Sequence, residues 1–150
     1  MRKALHPLVL GAITAATLLP AAAPAWGQVY ETNFPDAYHT VSPECAGTVH
    51  TEAARTPLPT NVEGVGVTVL FTADRPDPSC SMTVNVSWHN IDSGAGGEEQ
   101  ITVSSMPDPG GRFPVDHGYE RVLIDSGPGN VSVTSDKNPG ELTVPVQPRA

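Results

Sequence analysis

From Ser79 to Ile91 the chain alternates strictly, with Cys80, Met82, Val84, Val86 and Trp88 interleaved with Ser81, Thr83, Asn85, Ser87 and His89. A period of two gives one apolar and one polar side, which is the pattern of a half-buried strand and is incompatible with a helix. The same beat recurs at Val65, Val67, Val69 and Phe71, at Ile101 and Val103, at Val122 and Ile124, at Val131 and Val133, and at Leu142, Val144 and Val146. A weaker candidate spans Thr48 to Ala53. Between these runs lie turn-forming stretches such as Asp74-Arg75-Pro76-Asp77-Pro78, Asp92-Ser93-Gly94-Ala95-Gly96-Gly97 and Pro107-Asp108-Pro109-Gly110-Gly111. With 16 prolines and 14 glycines among 150 residues, long helices are excluded. The pattern predicts an all-β fold, an immunoglobulin-like antiparallel β-sandwich of about seven strands.

The start of the chain has a different character. Met1-Arg2-Lys3 precedes an apolar run from Ala4 to Leu19 and a small-residue stretch ending Ala23-Pro24-Ala25-Trp26-Gly27, the layout of an export signal. A cut before Gln28 satisfies the small-residue rule, as does one before Trp26. The expected organisation is a signal over 1–27, an N-terminal extension over 28–60 carrying a first weak strand and Cys45, and a sandwich body over 61–150, the last two forming one domain. Export without stable membrane insertion is the expectation, because the apolar run falls short of an ordinary span of about 20 residues. The protein is therefore read as secreted.

Compartment decides how the cysteines are read. Cys45 and Cys80 are the only two, and in an oxidising compartment such a pair forms a disulfide. In the loop-entropy model that crosslink is worth roughly 3.5 to 4 kcal/mol. Of the 8 basic residues, Arg2 and Lys3 leave with the signal, so 6 remain against 16 acidic ones. An excess of that sign excludes duplex nucleic acid as a partner, since binding it needs Lys and Arg against phosphate.

Trp88-His89-Asn90-Ile91-Asp92-Ser93-Gly94-Ala95-Gly96-Gly97 resembles a strand-to-turn signature of small exported actinobacterial β-sandwich proteins of unassigned activity. The resemblance implies a secreted, disulfide-containing β-domain and carries no catalytic residues with it.

Several constellations bear on chemistry. Val122-Leu123-Ile124-Asp125-Ser126-Gly127 resembles the active-site segment of aspartic proteases, and a second Asp-Ser-Gly stands at Asp92-Ser93-Gly94. In those enzymes two aspartates share a proton and activate water. Here they are 33 positions apart, whereas each belongs there to its own lobe or subunit. Both triplets are expected to end a strand and enter a turn, with Asp accepting from nearby N–H groups and Gly supplying positive φ. His50 and His89 both fall on polar sides of their strands and would form a two-imidazole metal pair if those strands were neighbours. No ligand spacing supports such a site, so no metal and no cofactor are expected. Asp74 with Asp77, and Asp108 with Asp116, lack a calcium-loop frame and read as solvated turn carboxylates.

The expected function is a non-enzymatic binding or cell-envelope-associated module, a monomer whose partner is a protein or envelope component. Its candidate binding residues lie in loops: Asp92, Ser93 and Gly94, and the group Phe113, His117 and Tyr119. The alternative is a small secreted hydrolase, aspartyl-type through Asp125 or metal-dependent through His50 and His89.

Overall fold

The computed structural model describes residues 32–60, 62–106 and 117–148. The expected signal over 1–27, its cleavage site, Phe113, Asp108 and Asp116 lie outside these residues. The described chain is all-β: β1 (Ala37–Ser42), β2 (Cys45–Pro57), β3 (Glu63–Ala73), β4 (Ser81–Asn90), β5 (Gly96–Ser104), β6 (Gly118–Ile124), β7 (Gly129–Ser135) and β8 (Glu141–Val146). They form two antiparallel four-stranded sheets, in the order β1-β2-β3-β6 and β5-β4-β7-β8, packed as a β-sandwich. No helix among the described residues is long and apolar enough to cross a membrane.

The core is built mainly of valine. Val49, Val65, Val67 and Val69 from one sheet meet Val84, Val86, Val103, Val131 and Val133 from the other, with Phe71 the largest side chain fully enclosed. In β4 the alternation read from the sequence holds: Met82, Val84 and Val86 are buried and Trp88 is half-buried against the core.

The segment 28–60 differs from its expected role as an extension. Its described part supplies two of the four strands of one sheet, and β2 at 13 residues is the longest of the described strands. The inner side of β2 is Cys45, Gly47, Val49, Thr51 and Ala53, so only one large apolar residue marks it. β1 is an edge strand with no fully buried residue, and so carries no apolar beat at all. With it the described strands number eight rather than about seven.

Three ties hold the sheets in register. Cys45 at the start of β2 is bonded to Cys80, just before β4, which joins one sheet covalently to the other. At one seam Gly118 of β6 comes close against the Ser104 backbone of β5, too close for a Cβ. Near β1 and β2 a single side chain reaches across: Asn138, in the β7–β8 turn, is 2% exposed. Its Nδ2 donates to the carbonyls of Pro35 and Val49, both at 3.0 Å, and its Oδ1 accepts from the Thr51 hydroxyl at 2.6 Å. Buried polar atoms are costly unless paired, so this amide and its partners stand or fall together.

Asn138→Ala should therefore lower stability by about 2 to 3 kcal/mol, the cost of stranding a buried hydroxyl and two carbonyls. Chemical denaturation with the disulfide intact checks this; a change under about 0.5 kcal/mol would show that Asn138 does not join the sheets.

Candidate functional site

The turn ends of the sandwich were the first expectation for a site. The β4–β5 turn carries Asp92-Ser93-Gly94 and the β6–β7 turn carries Asp125-Ser126-Gly127, and the fold sets the two side by side. The residue joining them is Asn90, which is completely buried. Its Nδ2 donates to the carbonyls of Ser126 (2.9 Å) and Pro128 (3.0 Å), while its Oδ1 accepts from the N–H groups of Asp92 and Ser93, both at 3.1 Å. The Asp92 carboxylate faces a different neighbour, accepting from Asn130 N at 2.7 Å and Asn130 Nδ2 at 3.2 Å. Gly94 and Gly127 have φ of 78° and 68°, the left-handed conformation expected of turn glycines. The triplets thus do the work of turns, with Asp125 exposed at the surface.

The two histidines are not brought together. His50 lies on the outward side of β2 and His89 on the outward side of β4, so they sit on opposite outer faces of the sandwich. Sequence alternation fixes the side on which a residue lies but not the sheet to which its strand belongs. Among the described residues no group of three or more His, Cys, Asp or Glu is placed to hold a metal ion. The loop carboxylates are used locally. Asp77 accepts from the Ser79 hydroxyl and N–H, which holds it below the usual carboxylate range, and Asp74 accepts from the Tyr38 hydroxyl. That same bond pushes the Tyr38 phenol above its ordinary value. His117 is half-buried, its Nδ1 3.0 Å from the Gly118 carbonyl oxygen.

What the fold does assemble is a mixed surface on the outer face of β1-β2-β3-β6. The registers put His50, Leu70 and Tyr119 in one cross-strand row, Glu52, Thr68 and Arg121 in the next, and Ala54, Gly66 and Leu123 in the third. Tyr119 and Leu123 are 45% and 46% exposed, and Tyr38 on β1 is 59% exposed. Arg121 lies flat on the sheet, donating from Nη2 to Thr56 Oγ1 at 2.7 Å across Gly66, where a Cβ would collide with the guanidinium. Of the expected loop residues, Tyr119 belongs to this face as a strand residue.

His50 anchors the acidic side of the same face. Nδ1 is 2.6 Å from Asp36 Oδ1 and Nε2 is 3.1 Å from Glu52 Oε1, a setting in which the protonated ring donates to a carboxylate from each nitrogen. Burial opposes that charge, but the two carboxylates outweigh it and raise the pKa above the ordinary histidine value.

The opposite outer face is different in kind. Thr83, Asn85, Ser87 and His89 of β4 stand beside Thr102, Gln100, Glu98 and Gly96 of β5, and Ser132 and Thr134 of β7 beside Thr143 and Glu141 of β8. The contrast between a hydroxyl-and-amide face and one bearing Tyr, Leu and Arg was not legible beforehand, because it depends on which strands are neighbours. Comparisons with protein-family models, with curated proteins and with solved structures found no match.

Two outcomes follow. In an NMR titration the His50 ring should deprotonate above the ordinary midpoint of about 6.5, and Asp36→Asn should bring it down. Because the folded pKa is raised, the stabilisation from this cluster is complete below the unfolded value and is lost as pH rises through the folded midpoint. A His50 midpoint below that of a model peptide would contradict the geometry. In thermal or chemical melts, Asn90→Ala should cost about 2 to 3 kcal/mol, while Asp125→Asn should change stability by less than about 0.5 kcal/mol. Equal losses would mean that Asp125 bears structural load.

Proposed function

We propose that this chain is an exported, monomeric binding module whose partner, a protein or other cell-envelope component, docks on the outer face of β1-β2-β3-β6. The observation that carries this reading is the exposure of Tyr119 and Leu123 on either side of Arg121 on β6, with Tyr38 exposed on β1 of the same outer face, while the strands of the other face present mainly hydroxyl, amide, carboxylate and imidazole groups, with Ile91 and Pro145 at one end. Tyr and Arg are enriched in interface cores, and clustered exposed apolar side chains on a soluble domain mark contact surfaces. Flat sheets suit extended contact better than enclosure of a small substrate. The groove of about 370 Å³ lined by Ala53–Arg55, Thr143–Pro145 and Gln147 is open to solvent.

Export is supported by the disulfide, which persists in oxidising compartments, and by the signal-like opening of the sequence. An immunoglobulin-like assignment draws support from the two-sheet architecture and from a disulfide that joins the sheets. The run of consecutive neighbours β1-β2-β3 departs from the immunoglobulin strand order. The hydrolase alternative has less behind it: the Asp92 carboxylate already accepts two hydrogen bonds from Asn130, and His50 and His89 lie on opposite faces.

The test is co-sedimentation of the purified mature protein with washed envelopes of the producing cells. Tyr119→Ala and Leu123→Ala should each weaken binding about tenfold or more, the scale of a central interface residue. Thr102→Ala and Thr143→Ala, on the opposite face, should leave it unchanged. Loss of binding only in the second pair would move the site to the polar face and overturn the proposal.

A further inference from the structure

The ladder of the second sheet has an open lane. In β4 the even-numbered residues direct their backbone groups toward β5, as shown at its two ends by Ser105 N donating to the Cys80 carbonyl and Asn90 N donating to the Ala95 carbonyl. Odd-numbered residues therefore direct theirs toward β7. Pairing with β7 covers only Val86 to Asn90. At Asn85 the next residue of the turn substitutes for a strand: Asp136 N donates to the Asn85 carbonyl at 3.0 Å, and Asn85 N donates to Asp136 Oδ1 at 2.8 Å. Beyond that point the chain turns away. The N–H and C=O groups of Thr83 and Ser81 then face a groove of about 380 Å³ with no hydrogen-bond partner among the described residues.

The far wall of the groove is β1, through His39, Thr40 and Val41, and Lys137 contributes to its lining. Val41 is 52% exposed there. The ionisable groups that line or flank the groove are already engaged. Lys137 Nζ is 2.9 Å from Asp136 Oδ2, and His39 Nε2 is 2.6 Å from the Lys137 carbonyl oxygen. Alternating donors and acceptors at strand spacing are matched by one kind of ligand, another extended backbone. An ionised side chain entering this lane would meet no free counter-charge among the described residues, whereas a β-branched one would cover Val41.

We propose that the lane beside Ser81 and Thr83 accepts an extended, uncharged, β-branched segment of a partner polypeptide, which adds to the sheet in the track that β7 leaves. This is a second surface, distinct from the outer face of β1-β2-β3-β6, and the two proposals stand or fail separately.

The experiment is residue-resolved amide hydrogen exchange on the mature, disulfide-bonded protein, alone and with the synthetic peptide acetyl-Thr-Val-Thr-Val-Thr-amide. In the free protein Thr83 should exchange at least about a hundredfold faster than Val84, whose N–H is paired with β5. The peptide should slow Thr83 and Ser81 selectively, and Val41→Lys should abolish that effect while leaving Val84 protected. Protection of Thr83 equal to that of Val84 in the free protein would show the lane already filled by the chain itself and would overturn the proposal. Absence of any peptide effect, or protection confined to the β8 edge, would overturn it equally.

Discussion

Two inner faces made chiefly of valine, pressed together across the sandwich, are the interaction on which the rest of this structure depends. Val49, Val65, Val67 and Val69 on one side and Val84, Val86, Val131 and Val133 on the other are fully enclosed. Valine is stiff at χ1 and loses little freedom when packed on a pleated surface, so each contributes burial at low entropic cost. Each also contributes little volume. A core of short side chains fills its space without large interlocking shapes, so specific ties fix how one sheet lies on the other. Cys45–Cys80 does so covalently, and Asn138 does so through one amide spanning the β7–β8 turn, β2 and Pro35.

The same division of labour appears at the turn end. Asn90 closes the β4–β5 and β6–β7 turns onto each other with one buried side chain, and the two Asp-Ser-Gly triplets are positioned by it. What resembles an acid pair in the sequence is, in space, a pair of turns locked by an amide. That end is occupied by structural hydrogen bonds, and the surfaces that differ most in character are the outer faces and the seam beside β4. Their chemistries differ: aromatic, apolar and cationic groups on one outer face, hydroxyls and amides on the other, and bare backbone at the seam.

How much of this was legible in the sequence varies residue by residue. The strands with large apolar residues on alternate positions, β3, β4, β5, β6, β7 and β8, are visible because Val, Ile, Leu and Phe mark one side of each. β2 was seen only in its middle, since Gly47, Thr51 and Ala53 bury their side without an apolar signal, and β1 was not seen because an edge strand need bury nothing. The disulfide was legible from cysteine count and context. Asn90 and Asn138 were not, because each sits in a stretch where asparagine reads as a turn former, and burial there is a tertiary outcome. Tyr119 and His50 were each singled out, yet their shared row depends on β2, β3 and β6 being neighbours, a long-range pairing that local periodicity does not encode.

The outer face of β1-β2-β3-β6 is the proposed contact surface. Hydroxyl-radical footprinting of the protein, free and bound to washed envelopes, tests it directly by reading side-chain accessibility at each residue. Tyr119, Leu123 and Tyr38 should lose reactivity on binding while His89 and Ile91, exposed on β4 and in the turn after it, keep theirs. Protection of His89 and Ile91 with Tyr119 and Leu123 unchanged would contradict it.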